Sequence, residues 1–303
     1  MRVTSAFAYD SSIASLQRRQ QAMSTAQEQL TSGKRVLRPS DDPSDAARAE
    51  RALAAMSKNE AQQRALEASR NAMQLGESAL GEAGELMQQA RELVVSAGNG
   101  SYTDAERRTI AESLRGLRND LFAIANRDDG AGRYLFGGQG SDSAPFADTG
   151  SGVAYNGTAG QMGGAAGDGL ALSIDGRAAW LGAGGGGTSV FATLDNTINA
   201  LLTTGQTGTQ VAQTVSDGLA GIDSATDNLG AWRARAGEAL NRADRIENRL
   251  GQGKLDAQRE RSSAEDLDML SAISDFQNQQ TGYSAALQTY SMVQKMSLFD
   301  YLK

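Results

Sequence analysis

The chain of 303 residues contains no cysteine and no histidine. Without thiols there is neither a disulfide framework nor a thiolate metal site. Without imidazole the usual general base, proton shuttle and commonest metal ligand are gone together. Three prolines and a 5% aromatic content suit long helices better than a thick globular core. A formal net charge of -7 argues against nucleic acid as the main partner. No apolar run reaches the ~18 residues of a membrane-spanning helix, so no membrane insertion is expected. Arg2 is followed by no apolar stretch or small-residue cleavage site, so no cleavable signal is expected. These absences predict no catalytic residue, no cofactor and no metal. Carboxylate or serine chemistry is all that remains for an enzyme.

What the sequence does have is helical periodicity at both ends. In residues 267–303, Met269, Ile273, Phe276, Gln280, Tyr283, Leu287 and Tyr290 recur at alternating steps of four and three. Val293 and Met296 continue the apolar face. A 3.5-residue repeat keeps one stripe facing a partner helix. At ~1.5 Å per residue such a helix runs ~55 Å and needs a partner of similar length. The other end supplies one: Ile13, Leu16, Met23 and Leu30, with Gln20 and Gln27, occupy compatible positions. The bland interpretation is two ordinary surface helices of a bundle. The length of both stripes favours termini that pair with each other and with copies of themselves. The predicted assembly seam is therefore Ile13, Leu16, Met23, Leu30, Ile273, Phe276, Tyr283, Leu287, Tyr290 and Val293.

Between the first helix and the next lies a compact basic connector. Gly33 is placed as a C′ residue, with Lys34, Arg35 and Arg38 near that negative helix end. Asp42 followed by Pro43 reads as an N-cap and first helical residue, with Asp45 in the first turn. Gly33-Lys34 is not a phosphate loop: Glu28 stands where the first glycine is needed, and Arg35 replaces the hydroxyl residue.

Farther on, Leu66, Met73, Leu80, Met87 and Val94 repeat every seventh residue in a helix predicted over 43–98, which is the mark of a packing seam. Thr103 and Glu106 form a capping box for a following helix carrying Ile110, Leu114, Leu117, Leu121 and Ile124. Residues 130–187 are glycine-dense, with short β-prone pieces at 133–136, 153–155, 170–174 and 178–181. Helical patterning returns with Val190, Phe191, Leu194 and Ile198, then with Leu219, Ile222, Leu229, Ala236, Leu240 and Leu250. Charges along 233–249 read as a solvated face.

The predicted fold is mainly α: an elongated antiparallel helical rod, its N- and C-terminal helices paired like a coiled coil, with a small β-rich inserted domain. The expected segments are 1–42 and 263–303 for the terminal domain, 43–129 for the outgoing rod, 130–187 for the insertion and 188–262 for the returning rod.

Residues 30–49, LTSGKRVLRPSDDPSDAARA, resemble the signature of the flagellin superfamily, and its hook-associated junction branch more closely than flagellin itself. Gly33, Lys34, Arg35, Pro39, Asp41, Asp42 and Pro43 carry the resemblance. Ser297-Leu298-Phe299-Asp300-Tyr301-Leu302 is similar to that branch's ending. Tyr134-Leu135-Phe136-Gly137-Gly138 and the stretch from Ala231 to Arg242 are similar to inner family segments. The resemblance implies a structural subunit of the bacterial flagellum, forming an adaptor ring between hook and filament. Its implied partners are copies of itself, the first hook-associated protein, flagellin and an export chaperone in the cytoplasm. Other possibilities are a minor flagellin, a coiled-coil signalling adaptor, or an enzyme using carboxylates.

Overall fold

The computed structural model describes residues 2–140, 142–150, 152–164, 170–182 and 188–301, with side chains described from residue 10 to residue 292 within them. Its elements are helices α1 (Arg2–Ser32), α2 (Pro43–Ala97) and α3 (Asp104–Ala125), strands β1 (Phe146–Thr149) and β2 (Gly152–Tyr155), then helices α4 (Gly176–Leu181), α5 (Val190–Leu202), α6 (Gly208–Glu265) and α7 (Met269–Tyr301). The fold is mainly α, as the periodicity predicts. Two compact units divide the chain, one of residues 59–251 and one combining residues 1–58 with 252–303. The expected terminal segments 1–42 and 263–303 therefore share a unit with the neighbouring stretches 43–58 and 252–262.

In the unit of residues 59–251, the predicted heptad of α2 is the core. Leu66, Met73, Leu80, Met87 and Val94 are all buried. Ser69, Gly76, Ala83, Ala90 and Ala97 take the second seam position and are buried as well. Small residues there let neighbouring groups approach: a Cβ on Gly76 would sit 2.5 Å from Ile174 Cδ1. On α6, Ile222, Leu229, Ala236, Ala243 and Leu250 repeat every seventh residue and are buried. Arg70 with Glu247 (2.8 Å), Arg91 with Asp223 (2.9 Å) and Arg233 with Glu77 (2.7 Å) tie α2 to α6 along their polar edges. The capping box of α3 forms as predicted, Glu106 N–H donating to Thr103 Oγ1 and Thr103 N–H to Glu106 Oε2. α3 packs on α5, which closes the core with Val190, Phe191, Leu194, Ile198 and Leu201.

The glycine-dense stretch departs from expectation. Only 146–149 and 152–155 are strands among its described residues, paired antiparallel with Phe146 opposite Tyr155. Residues 133–136 and 170–174 contribute single bridges, Asp128 to Tyr134 and Gly163 to Ala171. Residues 178–181 are helical. Asp175 caps that turn by accepting from Ala178 N–H at 3.1 Å, and Gly182 ends it at φ 66°. Local capping chemistry there overrides an apolar run too short to specify a strand. Nor do these residues build a core of their own: Phe136, Phe146 and Trp180 belong to the same buried cluster as Met87, Leu121 and Phe191. Gly138 holds the crossing of two loop segments, since φ is 68° and a Cβ would fall 1.9 Å from Thr158 O. No side chain fits there. The glycine run 184–187, which reads from its composition as a flexible loop, lies outside the described residues.

Candidate functional site

In the unit of the chain ends, α1 and α7 pack against each other. They run antiparallel: Lys34 bridges to Asp266 at one end, and Arg19 lies across Gly282 farther along. A Cβ at Gly282 would meet Arg19 Nη1 at 2.7 Å.

The seam itself is asymmetric. On α1, Ile13, Leu16, Met23 and Leu30 are half-buried, while Gln20 and Gln27 are exposed. On α7, Ala272, Phe276, Gln279, Tyr283, Ala286 and Tyr290 are half-buried, again at steps of four and three. Ile273 and Leu287 are not under α1: they stay 45% and 43% exposed, beside Met269 at 46%. Steps of four and eighteen residues place Met269, Ile273 and Leu287 on one side of the helix. The apolar arc of α7 is thus wider than α1 covers, and its uncovered shoulder runs beside the intramolecular seam. The side chain of Val293 lies outside those described.

The connector and the α6–α7 turn form an ionic latch. Gly33 ends α1 at φ 69°, its N–H donating to Gln29 O at 2.8 Å. Asp42 caps α2 as predicted, Oδ1 accepting from Ser44 N–H (3.1 Å) and Asp45 N–H (3.0 Å). Asp41 Oδ2 accepts from Leu37 N–H (3.2 Å) and Arg38 N–H (2.8 Å), while Pro39 and Pro43 are exposed at the turn. The basic residues act differently from the sequence expectation. Arg35 and Lys34 do not serve the C-terminus of α1. Past the left-handed Gly33 the chain turns toward the end of α6, where Arg35 donates to Ala264 O (3.0 Å) and Lys34 pairs with Glu265 (2.8 Å). Only Arg38 turns back to α1, 3.6 Å from Glu28. Arg35 also pairs with Asp42 and Asp45, and Arg48 joins Asp45 to Glu260. Two backbone bonds complete the latch, Arg35 N–H to Glu265 O (2.7 Å) and Leu267 N–H to Gly33 O (3.0 Å).

Single exposed ion pairs contribute little, about 0–1 kcal/mol. Here they gain from sharing partners around two fixed turns. The Asp42 carboxyl is held below its ordinary value by the Asp45 N–H and then by Arg35. The Glu265 carboxyl is lowered mainly by Lys34 and also by Arg261. Both folded-state values are depressed. Their contribution is therefore complete above the ordinary values, 3.8 for Asp42 and 4.5 for Glu265, and is lost as pH falls through the lowered ones. In urea titrations from about pH 6 down to about pH 3, wild type is expected to lose stability relative to Lys34→Met as acidity increases. A constant difference between the two proteins across that range would refute the latch.

A second cluster escaped the sequence reading. Arg118 of α3 is buried, pairing with Asp148 of β1 and with Asp195 of α5 at 3.1 Å. Its guanidinium lies 5.8 Å from the ring centres of both Phe122 and Phe191. The available signal was a charge sitting between Leu114 and Leu121 on an apolar stripe. Among the described residues no group of three or more His, Cys, Asp or Glu is placed to hold a metal, and no helix is long and apolar enough to cross a membrane.

Paired terminal helices, a latch between two turns and long heptad seams define a protein built around helix packing. The family model for the bacterial flagellin N-terminal helical region matches residues 4–141. Flagellar hook-associated protein 3 of Escherichia coli K12 is 30% identical over 291 residues, spanning 91% of this chain and 92% of that one. Its counterpart in Salmonella typhimurium is 29% identical over 315 residues, spanning 99% of both. A solved structure of a putative flagellar hook-associated protein from Vibrio parahaemolyticus has the same fold, with a TM-score of 0.67 at 20% identity over 75% of this chain and all of that one. The chain belongs to the flagellar hook-associated protein 3 family.

Proposed function

We propose that the protein is a structural subunit of the hook–filament junction, assembling as a ring of copies through its terminal helices. The uncovered shoulder of α7 carries this reading: Met269, Ile273 and Leu287 form an apolar stripe that α1 leaves in solvent. Burying such a stripe against a neighbouring subunit gains roughly 25 cal/mol per Å² of apolar area, repeated at every contact. The latch holds the base of both terminal helices while the shoulder docks. On one side the ring meets the first hook-associated protein, on the other flagellin. Before assembly the chain passes through the cytoplasm, where an export chaperone binds it, and leaves by type III export. Its role is mechanical and not catalytic, joining two tubes by helix packing.

Deleting the gene tests this. Cells are expected to carry hooks without filaments and to release flagellin into the medium. Filaments of normal number and length on the deletion strain would overturn it.

A further inference from the structure

With no cysteine in the chain, methionine is its only sulfur, and the methionines sort sharply by exposure. Met73 and Met87 in the α2 seam are 1% and 0% exposed. Met23, Met56 and Met162 are partly covered. Met269 and Met292 on α7 are 46% and 58% exposed. These two differ in one respect that matters. Met269 lies on the same side of the helix as Ile273 and Leu287, whereas Met292, five residues beyond Leu287, points away from that stripe. Met269 also opens α7 directly beside the latch, where Asp268 Oδ1 accepts from Leu270 N–H at 3.0 Å and Leu267 N–H reaches Gly33 O.

We propose that Met269 is a peroxide-oxidation site, and that its sulfoxide removes the free subunit from assembly. The chemistry needs only hydrogen peroxide. The thioether sulfur attacks one peroxide oxygen, the S–O bond forms as the O–O bond breaks, and the departing hydroxide takes the remaining proton and leaves as water. Sulfur is oxidised by two electrons and peroxide is reduced by two. The product places a polar, chiral S=O group on a surface that must pack against apolar side chains. Once docked, the same sulfur is covered, so the free subunit is the sensitive form. This inference rests on the reading that the α7 shoulder docks a second copy.

The test uses the full-length protein, hydrogen peroxide and cells lacking the gene. Mass spectrometry of peptides should show Met269 and Met292 oxidising at least ~10-fold faster than Met73 and Met87. Oxidised wild type, supplied from outside, should restore less than about a tenth of the filaments restored by untreated protein. Met269→Leu, which nearly conserves volume, should resist peroxide, and Met292→Leu should be as sensitive as wild type. Oxidised wild type that restores filaments fully, or Met269→Leu that is inactivated equally, would overturn the proposal. An untreated Ile273→Glu, Leu287→Glu protein separates the two ideas. If that protein restores filaments, the docking reading falls. If it does not, a failed peroxide arm removes only the oxidation site.

Discussion

Phe191→Ala is expected to cost the unit of residues 59–251 about 3–5 kcal/mol, the range for deleting a fully buried aromatic ring. Phe191 is 1% exposed. Trp180 stacks on it, with ring centres 5.8 Å apart and planes 12° from parallel. Phe122 meets it edge-on at 6.0 Å and Phe146 lies at 6.0 Å. Its loss therefore opens a cavity where α3, α5, the β hairpin and α4 converge. Trp180 aggravates the loss, because its Nε1 is buried without a hydrogen-bond partner among the described residues, so its burial leans on packing. Urea denaturation followed by tryptophan fluorescence should show a midpoint lowered by about 1–2 M. Val153→Ala, at a half-buried strand position, should cost about 1 kcal/mol. A Phe191→Ala loss no larger than that of Val153→Ala would mean the aromatic cluster is not the keystone of this unit.

The helical part of this fold was legible because the heptads are long. Five repeats on α2 placed every large core residue from Leu66 to Val94 correctly, and the capping box fixed where α3 begins. The partner stripe was less legible. Ser69, Gly76, Ala83, Ala90 and Ala97 carry almost no hydrophobic signal, and their role is to let other groups come close. The short elements misled for the opposite reason. Residues 178–181 form a short apolar run that reads as β-prone, but one aspartate cap and one left-handed glycine decide a six-residue segment. Within the latch, the sequence identified Asp42 and Gly33 because caps act over three or four residues. It could not identify Ala264, Glu260 or Glu265 as the targets of Arg35, Arg48 and Lys34, since those contacts close loops of more than two hundred residues.

The seam on α7 shows how far periodicity reaches. A step of four and three selects an arc of the helix but not which part of it faces the intramolecular partner. Phe276, Tyr283 and Tyr290 sit half-buried toward α1, while Ile273 and Leu287 stay in solvent. The two groups therefore answer mutation differently. Phe276→Ala removes packing from the α1–α7 pair, so it should lower terminal helix content in the free subunit as well as weaken assembly. Ile273→Ala with Leu287→Ala removes only exposed side chains, and the free subunit should keep its stability within about 0.5 kcal/mol per site. In the proposed ring each side chain would pack against a neighbour, where truncating it costs ~2 kcal/mol or more. A deficit of ~2 kcal/mol weakens each contact roughly 30-fold, and the proposed ring would repeat that loss at every subunit. The double variant is thus expected to be exported, to match wild type in circular dichroism and urea midpoint, and to leave hooks bare of filaments. Swarming by cells that carry it as their only copy, at wild-type rate, would place the docking surface elsewhere.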